Sequence, residues 1–139
     1  MTVVFFTDRD LGNTFPEILR ANGFAVERHS DHFAPACRMR NGLAEIARRG
    51  WVAITHDTRI RYKPNELAAV IRHRVRLVVV VGKAAYSDLA RSFVNTRTPI
   101  EAFIGRTSAP FIAKVYRPTP SEVAADPTAR GRIERWYPR

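Results

Sequence analysis

The 139 residues are the usual length of one domain, and an apolar fraction of 45% excludes wholesale disorder while no apolar run approaches the ~20 residues that span a bilayer. Cys37 is the only cysteine, which excludes an internal disulfide and fits a reducing, cytoplasmic setting, and the N-terminus shows no secretory pattern. Twenty-three Lys and Arg against thirteen Asp and Glu leave +10, with Arg far outnumbering Lys, which points to nucleic acid or an acidic protein as partner, or to a plain solvated basic surface.

In chain order, residues 3–7 read as a buried strand. Asn13 or Thr14 caps a following helix with Pro16 in its first turn, Phe15, Ile18 and Leu19 on one face, and Gly23 as its stop. Residues 24–29 read as a second strand, and a polar loop runs to about residue 39. A second helix covers roughly residues 40–49, with Leu43, Ile46 and Ala47 inward and Gly50 as its stop, and residues 51–55 form the third strand. After a loop over 56–63, Pro64 and Asn65 open a third helix with Leu67, Val70 and Ile71 inward.

Residues 76–81 are the most apolar strand, and such continuous runs belong to a sheet covered on both faces. A helix over 86–95, a short helical piece near 99–103 and a last strand over 111–116 follow. This βα alternation predicts an α/β domain over residues 1–116 with a mostly parallel, twisted sheet and right-handed crossovers. Residues 117–139, rich in Pro, Ala and charge, read as a basic C-terminal tail with room for one helical turn before Trp136 and Tyr137.

A parallel sheet gathers the carboxyl ends of its strands along one edge, where ligands bind. Strand one is followed by Asp8, strand two by Ser30 and Asp31, and strand three by His56 and Asp57; the fourth delivers Lys83. Carboxylates brought together repel one another unless a cation lies between them, and hard oxygen donors select Mg²⁺ or Mn²⁺. Such ions activate water for attack on a phosphodiester. Taken singly, each Asp is better explained as a cap on the turn after its strand. Arg59, Arg61 and Lys63 recur at every second residue beside Asp57, suited to phosphates, and Tyr62 is suited to stacking on a base. Glu66, in the first turn of the next helix, either favours the helix dipole or serves as a fourth acid.

His29, His32 and His56 lie near the same edge, but zinc favours tighter Cys/His sets; they read as loop histidines, with His56 placed to help proton transfer. Trp51 and Phe33 read as core.

The run Phe6-Thr7-Asp8-Arg9-Asp10-Leu11-Gly12, then Ile18-Leu19-Arg20, Gly23-Phe24, Asp31-His32-Phe33, and Gly50-Trp51-Val52-Ala53-Ile54-Thr55-His56-Asp57 with Arg59-Ile60-Arg61-Tyr62 and Glu66, resembles a PIN-like family associated with VapC-type toxins of toxin–antitoxin modules. The likeness covers roughly residues 3–82. It implies a three-layer α/β/α fold, Mg²⁺- or Mn²⁺-dependent endoribonuclease activity on an RNA substrate, and a cognate antitoxin that blocks the site; the sequence also admits a homodimer. It further implies Asp8 and Asp57 as central metal ligands, Asp31 as a further acid and Glu66 as a weaker candidate, with Arg59, Arg61 and Tyr62 in the family's basic stretch. One departure is Met39-Arg40-Asn41-Gly42, where related sequences place an acid and a Trp; Glu45 lies one turn further on. Two other readings are a non-catalytic basic nucleic-acid-binding module and a phosphoacceptor signalling domain using Asp8, Asp10, Asp57 and Lys83.

Overall fold

The computed structural model describes residues 3–34 and 39–138, with the backbone alone at 39–41 and 61. Cys37 lies outside the described residues, as do the side chains of Met39, Arg40, Asn41 and Arg61. Six strands form one sheet: β1 (Val4–Thr7), β2 (Ala25–Arg28), β3 (Val52–Thr55), β4 (Arg76–Val81), β5 (Phe111–Tyr116) and β6 (Arg132–Tyr137). Among the described residues seven α-helices accompany them: α1 (Thr14–Ala21), α2 (His29–His32), α3 (Met39–Arg48), α4 (Pro64–Arg72), α5 (Tyr86–Asn95), α6 (Arg97–Arg106) and α7 (Pro120–Ala125).

The doubled apolar runs explain the layering. Neighbouring strand residues point to opposite faces, so Phe5 enters a core with Leu11, Phe15, Leu19, Phe93 and Ile100 from α1, α5 and α6 and the turn before α1. Phe6 enters a second core with Leu43, Ile46 and Val70 from α3 and α4. Strand order is β2-β1-β3-β4-β5-β6, parallel from β2 to β5, with β6 antiparallel to β5. The chain leaves β1 for β2 on one side and returns to β3 on the other, so the carboxyl ends of β1 and β3 form a topological switch point. Gly23, at φ 83°, takes the left-handed conformation that ends α1, and Phe24 N–H closes the turn on Leu19 O at 3.1 Å.

Three stretches differ from expectation. Residues 29–32 form α2 in place of strand end and loop, because the His29 ring turns inward against Phe6 and Phe33, at 5.3 Å from the latter. The helical piece near Pro99 is a ten-residue helix, α6, whose Ile100, Phe103 and Ile104 are buried. The segment 117–139, expected as a tail, holds a capped helix and a strand. Thr119 and Glu122 form a reciprocal capping box at the start of α7. Strand β6 then covers the edge of β5, with Ile133 against one core and Trp136 and Tyr137 against the other.

Entry into β6 requires glycine: a Cβ at Gly131 would lie 1.8 Å from Tyr116 O, and the Gly131 amide donates to Thr96 Oγ1 at 3.0 Å. Backbone overlap has no rotamer escape, so Gly131→Ala is expected to cost about 1–3 kcal/mol or more and to lower the melting temperature by about 5 °C or more. An unchanged melting temperature would mean that β6 does not dock as described.

Among the described residues no helix is long and apolar enough to cross a membrane.

Candidate active site

The switch point brings two acidic strand ends together around one hydroxyl. Asp8 extends the β1–β3 ladder through its amide, which donates to Ile54 O at 3.0 Å. Thr55, the last and fully buried residue of β3, sets its Oγ1 2.9 Å from Asp10 Oδ2 and 3.2 Å from Asp8 Oδ2. The same oxygen accepts from the Asp57 amide at 3.2 Å, and the His56 amide donates to Asp10 Oδ2 at 3.1 Å. A hydroxyl has one proton, so it serves one of the two carboxylates at a time.

Each Asp also makes the local bond that turn chemistry favours. Asp8 Oδ1 caps the 3-10 turn Arg9–Leu11, accepting from Arg9 N at 2.8 Å, and Asp57 Oδ1 accepts from Arg59 N at 3.0 Å. Capping uses one oxygen of each; the other faces the cluster or its cation.

The electrostatics divide the three acids. Burial, then the charge of Asp8, push the Asp10 carboxyl up to about 6, against the Thr55 and His56 hydrogen bonds. Its Oδ1 is buried and has no hydrogen-bond partner among the described residues. Asp8 is raised by burial and by the Asp57 charge, with the Arg9 amide and Thr55 hydroxyl opposing. Burial also acts upward on Asp57, but the hydrogen bond from the Lys63 ammonium to its Oδ2 and the Arg59 amide outweigh it, so this carboxyl lies below its ordinary value. His56 Nδ1 lies 2.8 Å from Val80 O, which can only accept, so Nδ1 carries the proton and a neutral ring leaves Nε2 as acceptor.

The residues singled out in the sequence fall into two groups. Asp8 and Asp57 meet at the switch point, with Lys63 on Asp57 and the exposed Arg59 side chain 3.6 Å from it. Asp31 is not brought to them. The turn into α2 swings it away, and Arg28 binds both of its oxygens at 3.0 Å, with Arg20 at 3.8 Å. Glu66 lies in the first turn of α4, and among the described residues no hydrogen bond or ion pair joins it to these acids. Glu45 does not replace the missing acid of the second helix: Arg48 and Arg49 hold it on the outer side of α3. Tyr62 is exposed, edge-on to Trp136. His29 is buried against Phe6 and Phe33 rather than free in a loop, and His32 is held by Glu27 at 2.6 Å.

Asp10 is the member of the cluster that strand-end logic passes over, because it stands two residues beyond the obvious Asp8. The spacing Asp8-x-Asp10 within one 3-10 turn is the sequence signal for it.

Among the described residues no three His, Cys, Asp or Glu side chains are grouped to hold a metal ion. Mg²⁺ and Mn²⁺ do not demand three: one or two carboxylates suffice, with water and substrate phosphates completing the shell. Asp8 and Asp10 match that chemistry, with hard oxygens on two adjacent acids and one buried oxygen lacking a donor. A cleft of about 150 Å³ opens beside Asp8, lined by Thr7, Arg9, Asn13, Arg28 and Ser30 among others, and it places cationic side chains near that acid. A larger cleft of about 720 Å³, around Phe103, Arg106, Pro110 and Arg135, lies at the opposite end of β5 and, among the described residues, has no acid in its walls.

A family model described as a PIN like domain matches residues 3–82, more than half of the chain and the stretch that supplies Asp8, Asp10, Thr55 and Asp57. No curated protein and no solved structure matches the chain.

Proposed function

The chain belongs to the PIN-like domain family, and from that premise we propose that it is a metal-dependent endoribonuclease whose site is built on Asp8, Asp10 and Asp57. One observation carries the proposal: the single buried Thr55 hydroxyl stands between two half-buried carboxylates at the sheet's switch point, an arrangement that favours an added cation. Asp8 and Asp10 would hold Mg²⁺ or Mn²⁺, with Asp57 beside them through Thr55. Such an ion, when bound, lowers the pKa of a water and stabilises a leaving oxygen.

The chain's own groups do the rest. Asp10 holds a proton below about pH 6, since its carboxyl is raised to that value. His56 Nε2, aimed by the Nδ1 bond to Val80, is the acceptor for a proton at the rim. Lys63 neutralises Asp57 and so limits the repulsion an incoming phosphate meets. Arg59, its side chain 78% exposed, supplies an accessible cation for that phosphate. The phosphoacceptor reading is not favoured, because the lysine on Asp57 is Lys63, from the same loop, and not Lys83.

The test uses labelled single-stranded RNA with the purified chain. Cleavage is expected with Mg²⁺ or Mn²⁺, to stop with EDTA, and to fall roughly 100-fold or more in Asp8→Asn. RNA that is retained but never cut, indifferent to EDTA, would leave a basic nucleic-acid-binding module instead. The toxin role with a cognate antitoxin belongs to the same proposal and rests on the resemblance. Expression without a partner is expected to slow growth for the wild type and not for Asp8→Asn.

A further inference from the structure

The sheet face under α3 and α4 continues onto β5 and β6. Alternation places Lys114 and Tyr116 on the same face as Ile112, and the antiparallel register sets Arg132 opposite Tyr116 and Glu134 opposite Lys114. Two cation–ring pairs result: Lys114 Nζ lies 3.8 Å from the Trp136 ring centre, and the Arg132 guanidinium lies 4.1 Å from that of Tyr116. Trp136 also meets Tyr62, with centroids 5.7 Å apart and planes at 80°. Glu134, the acid in this stripe, is held by Arg132 at 2.9 Å.

The stripe begins at the acid site. Tyr62, 67% exposed, immediately precedes Lys63, whose ammonium binds Asp57. Thr55, Val79 and Lys114 are in register across β3, β4 and β5, so Lys114 stands two strands, about 10 Å, from the hydroxyl that joins the acids.

We infer that Tyr62, Lys114, Tyr116, Arg132 and Trp136 form a track for a single-stranded polynucleotide leading to the acids, an inference that rests on the RNA reading of that site. Rings interleaved with cations suit unpaired bases and their phosphates together, whereas duplex bases are already stacked on one another. The net charge of +10 supplies the complementarity to a polyanion. Trp136, from a strand beyond the matched family region, acts here as the positioning residue that sets the Tyr62 ring.

The experiment measures binding in EDTA, where no ion is available for cleavage, by fluorescence anisotropy with a single-stranded RNA and a hairpin duplex of equal length. Tyr62→Ala is expected to weaken the single strand roughly 10-fold and the hairpin less than about 2-fold. Lys114→Gln is expected to reduce the salt slope for the single strand by about 0.7. Thermal melts of both variants check that they remain folded. Unchanged affinity in both variants, or an equal loss for the hairpin, overturns the track. The two proposals separate cleanly. Metal-dependent cleavage with unaltered variant binding removes the track and leaves the acid site; variant-sensitive binding without any cleavage in Mg²⁺ removes the nuclease and leaves the track.

Discussion

Asp10→Asn is expected to lose RNA cleavage by roughly 100-fold or more and, at the same time, to melt at a higher temperature than the wild type at pH 7. The second effect follows from linkage. The Asp10 carboxyl rises from 3.8 to about 6 on folding, first through burial and then through Asp8. Between those values the folded chain binds more protons than the unfolded one, so stability falls as pH rises through the window, and the full loss is present above about 6. A rise of that size corresponds to about 3 kcal/mol. The group is half-buried, so solvent screening reduces this to about 1–2 kcal/mol. Asn keeps an oxygen for Thr55 Oγ1 and His56 N, and it places an amide in the position of Oδ1, a buried oxygen with no donor among the described residues.

Melting curves from pH 3.5 to 7.5 test the argument: the wild-type decline between about pH 4 and 6 is expected to flatten in the variant, which melts about 3–6 °C higher at pH 7. Mn²⁺ is expected to raise the melting temperature of the wild type and not of Asp10→Asn. A variant less stable than wild type at pH 7, still responding to Mn²⁺, would show that Asp10 is a structural hydrogen-bonding residue and nothing more.

The largest expected loss of stability lies at Phe93. Its ring, 1% exposed, meets Phe5 edge-on at 5.5 Å and Phe15 at 5.7 Å, and packs against Phe24 at 5.9 Å. It therefore ties α5 to β1, to α1 and to the start of β2 at one point. Phe93→Ala removes the transfer energy of the ring and leaves a cavity that three other rings cannot collapse to fill, for about 3–5 kcal/mol. Against a total stability of about 5–15 kcal/mol for a domain of this kind, that is a large share. Urea titration is the check, and a loss under about 1 kcal/mol would mean that the cluster repacks and is not the anchor described.

How far the sequence carried is visible at particular residues. The apolar pairs Phe5-Phe6 and Val78-Val79 declare a sheet buried on both faces, and in the structure each pair divides between the two cores. The bounds of β4 and β5 were legible because Gly82 follows one continuous apolar run and Pro110 precedes the other, whereas those of α5 rested on apolar spacing alone. Strand β6 was not legible: its charged residues face solvent, each other or the Tyr116 ring, and only pairing with the edge of β5 makes a strand of them.

For the site, the sequence by itself determined that Asp8 and Asp57 follow parallel strands and so share an edge, since that depends only on strand direction and hydrophobic run length. Tertiary structure alone decided which acids meet. Asp10 enters through a hydroxyl 45 residues away, and Asp31 leaves because Arg28, three residues before it, satisfies both of its oxygens. The physical reason is that a carboxylate's position within a few ångströms is set by the nearest donor in space, and the sequence orders donors only along the chain.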